Sequence, residues 1–147
     1  MKDCTWWPNV FTSLLVLVGW FAVHFATLSR ERRKERRETA KSAVDALNSI
    51  ASDASAFHTA LTFDAHEACL LRYNTEKVIR TLQRKPLNDL DLSLGRMVKL
   101  RKSITLKNID PSIFSPQNID SPILQDIRAA TDDLVDAIEA ARDSHWA

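Results

Sequence analysis

An uncharged stretch near the N-terminus constrains this chain more than any other feature, because no Asp, Glu, Lys or Arg occurs from Cys4 to Ser29. Within it, residues 6–28 (WWPNVFTSLLVLVGWFAVHFATL) are mostly apolar. As a helix with a rise of about 1.5 Å per residue, this segment is roughly 34 Å long, enough to cross a hydrocarbon core of about 30 Å. The sequence therefore predicts a single transmembrane helix over residues 6–28, with the lipid bilayer as its partner.

The residues on either side of the predicted span indicate its orientation. Trp6 and Trp7 stand where an interfacial aromatic belt is expected. Lys2 is the only basic side chain before the span, whereas several follow it directly: Arg30, Arg32, Arg33 and Lys34. A cleaved secretory signal would carry its basic residues before the apolar run instead. By the positive-inside rule we expect a short tail, residues 1–5, outside the cell and the remaining chain in the cytoplasm, below a cytoplasmic or inner membrane.

The basic segment that follows, residues 29–38 (SRERRKERRE), contains no helix breaker. We therefore expect the membrane helix to continue into the cytoplasm as a juxtamembrane helix. Glu31 and Glu35 are interleaved with the basic residues and would repel phosphate groups. Nucleic acid is for this reason not an expected partner.

Apolar residues then recur at alternating steps of three and four, which is the spacing of a heptad seam. The seam residues are Ala40, Ala43, Leu47, Ile50, Ala54, Phe57 and Leu61. This pattern fits either a coiled coil between copies of the chain, and hence a homo-oligomer, or an antiparallel bundle within one chain. Because three of the seven positions are Ala, the stripe is thin, and we favour the bundle within one chain.

Residues 39–147 predict one small all-α domain, an antiparallel bundle of about four helices. After the seam helix, apolar periodicity predicts helices over residues 64–83, 88–106 and 122–144. Asp64 is the expected N-cap of the second helix, and Ser121 followed by Pro122 is the expected start of the fourth.

The third predicted helix has a face formed by Leu90, Leu94, Met97 and Ile104, interrupted by Arg101. Between it and the fourth helix, residues 108–113 (NIDPSI) nearly repeat as residues 118–123 (NIDSPI). Two successive Asx or capping turns explain this repeat.

No group of residues carries the pattern of a known catalytic or cofactor site. The candidate metal ligands are His58, His66, Glu67, Cys69 and His145. They lack a second Cys or His pair that would complete a four-ligand site. With two Gly in the chain, both isolated, a phosphate-binding loop is not expected either. We therefore expect no enzyme activity, no metal and no cofactor.

Charge is divided unevenly along the predicted bundle. Residues 84–107 hold seven basic and two acidic residues, a sum of +5, and residues 121–147 hold six acidic and two basic residues, a sum of −4. We expect the third and fourth helices to be antiparallel neighbours whose charged side chains approach each other. The side chains concerned are Lys99, Arg101, Lys102, Asp126, Asp132 and Asp133.

Two functional interpretations remain from the sequence. The first is a membrane-tethered interaction or regulatory module whose helical bundle is presented to a cytosolic protein partner. The alternative is a small membrane-active protein, such as a toxin, a holin-like protein or an exclusion factor, that acts through its span.

Overall fold

The chain is all-helical in its computed structural model, which describes residues 7–90 and 92–145. Over these residues it forms four α-helices, one short 3-10 helix and no strand. The α-helices are α1 (Trp7–Thr59), α2 (Ala65–Leu82), α3 (Leu94–Thr105) and α4 (Pro122–His145), and the 3-10 helix is Leu87–Leu90. The predicted all-α class is confirmed.

The chain divides into two units, residues 1–35 and residues 36–147. In the first unit α1 exposes every described side chain from Thr12 to Thr27. An 18-residue window of this helix has a mean hydropathy of 1.6, and none of the window is buried. By length and composition α1 is thus able to cross a membrane.

Aromatic side chains cluster on the exposed apolar part of α1. The ring of Trp20 stacks on that of His24 with centroids 5.3 Å apart. Trp7 is the first residue of α1, whereas Trp6 and the predicted tail, residues 1–5, lie outside the described residues.

The second unit is built around one hydrophobic core. All the predicted seam residues of α1 except Leu61 are buried, together with apolar side chains of α2, α3 and α4. Among the largest fully buried side chains are Leu47, Leu82, Leu100, Ile104, Leu134 and Ile138. The seam therefore packs within the chain, as the thin Ala-containing stripe favoured.

The prediction for Leu61 is wrong, because its side chain is 86% exposed. Helix α1 ends at Thr59, so the heptad spacing no longer sets the direction of Leu61. Phe63, two residues further on, packs against the core instead.

Both predicted helix starts are confirmed. The Asp64 carboxylate accepts hydrogen bonds from the backbone N–H groups of His66, at 2.7 Å, and Glu67, at 3.2 Å. Helix α4 begins at Pro122, and the Ser121 hydroxyl accepts a hydrogen bond from the backbone N–H of Leu124 at 3.4 Å. These side chains satisfy donors that a helix N-terminus otherwise leaves open.

The third predicted helix is shorter than expected. Its predicted face is right for Met97 and Ile104 and wrong for Leu94, and the side chain of Leu90 lies outside the described ones. The segment forms the 3-10 helix first, and α3 begins only at Leu94. The core side of α3 is formed by Met97, Leu100 and Ile104. Since a helix turns by about 100° per residue, Leu94 lies to one side of this stripe. Leu94 is accordingly 65% exposed, and its predicted place in the core is wrong.

Candidate interaction surface

Helix α3 carries a second apolar stripe that points away from the core. Its members Leu94, Val98 and Leu106 are spaced by four and eight residues and are all exposed. Lys102 occupies the intermediate position of the same stripe and is also exposed. Contiguous apolar side chains left in solvent mark interaction sites more often than isolated ones do.

Next to this stripe, α3 and α4 enclose a groove of about 510 Å³. The residues that line it are Gly95, Val98, Lys99, Lys102, Ser103, Leu106, Lys107, Asp126 and Ala129. Several of them are small, and the Ser103 hydroxyl donates a hydrogen bond to the backbone carbonyl of Leu100 at 2.8 Å, so it is satisfied locally. The groove thus combines small residues, exposed aliphatic side chains and three lysines.

Three ion pairs join α3 and its C-terminal extension to α4, and they involve five charged residues, three of which line the groove. Lys99 Nζ lies 4.0 Å from Asp133 Oδ2, and Arg96 Nε lies 3.2 Å from Asp133 Oδ1. Lys107 Nζ lies 2.9 Å from Asp126 Oδ2. Because later residues of α3 and its C-terminal extension meet earlier residues of α4, the two segments run antiparallel.

The remaining predicted pairing residues have other surroundings. The Arg101 guanidinium contacts Glu76 of α2, with Nε 2.7 Å from Oε1, and does not contact an acid of α4. Lys102 and Asp132 are exposed, and neither forms an ion pair within residues 7–90 and 92–145. The cationic character of the groove is therefore only partly neutralised.

The basic residues predicted to flank a membrane lie on α1. Arg30, Arg32, Arg33 and Lys34 all have exposed side chains in an unbroken helical stretch. Such residues can reach phosphate groups of lipid headgroups without unwinding the helix.

A second feature of the bundle, not recognised in the sequence, is a buried polar pair. The His58 side chain is 0% exposed, and its Nδ1 lies 3.4 Å from Asn108 Nδ2. The side-chain carbonyl oxygen of Asn108 accepts a hydrogen bond from the Ser115 backbone N–H at 2.7 Å. The side-chain amide nitrogen of Asn108 donates a hydrogen bond to the Ser115 backbone carbonyl at 2.9 Å. The backbone carbonyl of His58 also accepts the Gln117 N–H at 2.8 Å. These contacts tie the loop before α4 to the end of α1.

The hydrogen bonds of Asn108 determine which nitrogen of His58 carries a proton. Since the Asn108 amide nitrogen is a donor, His58 Nδ1 must be an acceptor, and the proton of the neutral ring resides on Nε2. Nε2 is buried and has no hydrogen-bond partner among the described residues. Burial lowers the pKa of His58, and the nearby backbone carbonyl of Ile104, which does not reach hydrogen-bond geometry with the ring, raises the pKa in part.

A cluster of three phenylalanines lies beside this pair, since the ring of Phe57 makes an edge contact with that of His58, with centroids 5.2 Å apart. Phe57, Phe63 and Phe114 form mutual edge contacts, with ring centroids between 5.5 and 6.0 Å apart. Edge-to-face packing of this kind adds about 0.5–1.5 kcal/mol per pair to the burial of the rings. The cluster thus joins the end of α1 to the segments before α2 and before α4.

Four of the five candidate metal ligands have described side chains, and these do not form a metal-binding group. His58 is enclosed in the core, whereas His66 and Cys69 are exposed on α2. Within the described part of the chain, no group of three or more His, Cys, Asp or Glu side chains is arranged to hold a metal ion.

The described residues define an all-α protein with a long apolar N-terminal helix and a helical bundle. Comparison of the chain with protein-family profiles, curated proteins and solved structures gives no significant match.

Proposed function

We propose that this protein is a membrane-tethered interaction module. In this proposal the apolar part of α1 anchors the chain in a bilayer, and residues 36–147 present a binding surface to a cytosolic protein. The proposal is supported above all by α1, whose apolar window has none of its residues buried in protein. Apolar surface exposed to water costs roughly 25 cal/mol per Å², and insertion into lipid removes that cost.

The interaction role is supported by the contrast between the core and the outer face of α3. The core side chains of the bundle are closely packed and buried, whereas Leu94, Val98 and Leu106 remain exposed beside a groove. A surface of this kind lowers its free energy when a partner covers it.

The orientation can be tested with the two native cysteines. Cys69 is a free and exposed thiol on α2, and Cys4 precedes the apolar stretch. We expect a membrane-impermeant maleimide to label Cys4 in intact cells and to label Cys69 only after permeabilisation. The single variants Cys4→Ser and Cys69→Ser identify which thiol has reacted. Labelling of Cys69 in intact cells, with Cys4 protected, would reverse the proposed orientation.

The interaction role is tested by affinity purification of the full-length protein in mild detergent. A partner that binds the α3–α4 groove should copurify with the wild type and with Ala140→Trp, and should be lost with Ala129→Trp. Both positions are exposed alanines of α4, but only Ala129 lines the groove. Growth arrest caused by residues 1–38 alone would instead favour the membrane-active alternative.

A further inference from the structure

We propose that the groove between α3 and α4 binds an acidic amphipathic helix of a partner protein, an inference that rests on the interaction role proposed above. The groove and its apolar stripe determine the shape of the occupant, and the lysines around it determine the charge.

The shape argument starts from the residues that line the groove. On α3 and its C-cap they extend from Gly95 to Leu106, a separation of eleven residues, which corresponds to about 16 Å along a helix axis and so to about three helical turns. Gly95 and Ala129 keep the groove open, because neither side chain extends beyond a methyl group. A groove of this length between two helices accepts a ridge of side chains repeating at steps of three and four, as in other helix-in-groove complexes.

The charge argument starts from the composition of α3, which contains four basic residues and no acidic residue. Lys99, Lys102 and Lys107 line the groove, and Asp126 is the one carboxylate among the lining residues. Lys102 stands on the apolar stripe itself and has no ion pair in the described structure. An occupant that places Asp or Glu beside its apolar ridge complements this arrangement.

A second copy of this chain fits the groove less well. Helix α4 is acidic, but among its described side chains no large apolar residue is exposed, so it offers no ridge to insert. Helix α2 exposes Leu70 and Tyr73, but it contains three basic and two acidic residues and so does not complement the lysines of the groove. A bilayer surface also fits less well, because a flat surface cannot fill a concave groove. The observations therefore favour a helix of another protein.

The probe for this proposal is a synthetic peptide of about 14 residues, or about four turns, with Leu at steps of three and four and Glu beside them. The fluorescence anisotropy of the labelled peptide is measured as full-length protein, held in nanodiscs of neutral phosphatidylcholine, is added. A peptide with Lys in place of every Glu is the charge control. We expect the Glu peptide to bind, with an affinity that falls as salt is raised, and the Lys peptide not to bind.

Two groove variants and two matched surface variants complete the experiment. Ala129→Trp fills the groove and Lys102→Glu reverses its free cation, and each should weaken binding about tenfold or more. Ala140→Trp on α4 and Arg80→Glu on α2 change exposed residues outside the groove and should leave binding unchanged.

Several results would overturn the proposal. These are equal binding by all four variants, no binding by the wild type, groove-dependent binding of phosphatidylserine vesicles without peptide binding, or groove-dependent self-association in sedimentation. If the peptide fails to bind while the protein remains in the membrane fraction and retains a copurifying partner, only this inference falls. If the protein is absent from the membrane fraction, the proposed function itself falls.

Discussion

At the scale of single residues, the two asparagines of the near-repeat have different environments. Asn108 is buried, has a left-handed backbone with φ of 56°, and holds both backbone groups of Ser115. Asn118 is exposed. Although the sequences around them are similar, the side chain of Asn108 has a structural role and that of Asn118 is exposed to solvent.

Asn108→Ala should lower the free energy of unfolding by about 3.5–4.5 kcal/mol. It removes the two hydrogen bonds to Ser115, at about 1 kcal/mol each, and the longer one to His58, at about 0.5 kcal/mol, and it places a non-glycine residue without a local hydrogen bond in the left-handed region, at about 1–2 kcal/mol. Asn118→Ala should change the free energy of unfolding by no more than about 0.5 kcal/mol. Urea unfolding of the protein in micelles, followed by helical circular dichroism, measures both.

A third variant separates the two contributions at position 108. Asn108→Gly also lacks the hydrogen bonds, but glycine adopts the left-handed region without strain, so it should recover part of the loss. Equal losses for the Ala and Gly variants would contradict a backbone contribution.

His58 predicts how stability depends on pH. Burial lowers its pKa below the ordinary value of 6.5, so the unfolded chain takes up a proton at a higher pH than the folded chain does. The free energy of unfolding should therefore be fully retained above about pH 6.5 and should fall as the pH is lowered from there towards the folded pKa. His58→Gln keeps a hydrogen-bond acceptor for Asn108 but does not titrate, so its stability should fall less over the same range.

Unfolding measured at about pH 7.5, 6.5 and 5.5 tests this prediction. His66→Gln, which changes an exposed histidine, should behave like the wild type. Hydrogen bonds from Ser112 lower the pKa of Asp110, whose ordinary value is 3.8, so its contribution is lost only in more acidic solution. Identical pH dependence in the wild type and His58→Gln would show that His58 is not the responsible group.

At the scale of helices, local sequence signals were sufficient to predict where α2 and α4 begin. They were insufficient to predict where α3 begins and which of its sides faces the core. Asp64 and Ser121 cap α2 and α4 through hydrogen bonds that reach two or three residues along the chain, so the sequence itself contains both partners. The direction of α3 depends instead on which side meets α4 and α2. The apolar pattern of α3 offered two stripes, and only tertiary packing chooses between Leu94 and Leu100.

The polar pair at the end of the bundle was unpredictable for a related reason. His58 and Asn108 are separated by 50 residues, and the loop between α3 and α4 must fold back to join them. A histidine in a helical pattern and an asparagine in a turn each have ordinary local explanations. Their connection exists only in three dimensions.

The ion pair between Lys107 and Asp126 provides a test of the α3–α4 register. Both side chains are about half exposed, so the pair should contribute only about 0.2–1 kcal/mol. Lys107→Glu and Asp126→Lys should each lower the melting temperature slightly, and the double variant should restore it. Lys102→Glu combined with Asp132→Lys is the matched control, because neither residue forms an ion pair in the described structure and their effects should add. Additive losses for Lys107 and Asp126 would contradict the register.

At the scale of the whole molecule, the two units have different folding requirements. Residues 36–147 contain the entire buried core, including the seam of α1 from Ala40 onward. We expect this fragment to be soluble and mostly helical without the apolar segment, because its stripes can bury one another. Circular dichroism and gel filtration measure this. A disordered or aggregated fragment would show that the bundle requires its N-terminal helix, lipid or a partner.

In sequence, the tryptophans of the chain lie outside the stretch that supplies the described bundle core, and this has a spectroscopic consequence. The ring cluster in the core consists of phenylalanines, whereas the four tryptophans are Trp6, Trp7, Trp20 and Trp146. No indole therefore lies between residues 21 and 145. In a Trp146→Phe variant, tryptophan emission, excited at a wavelength that Tyr73 does not absorb, arises only from the first 20 residues. The wavelength of maximum emission reports the polarity around that segment and does not respond directly to folding or unfolding of the bundle.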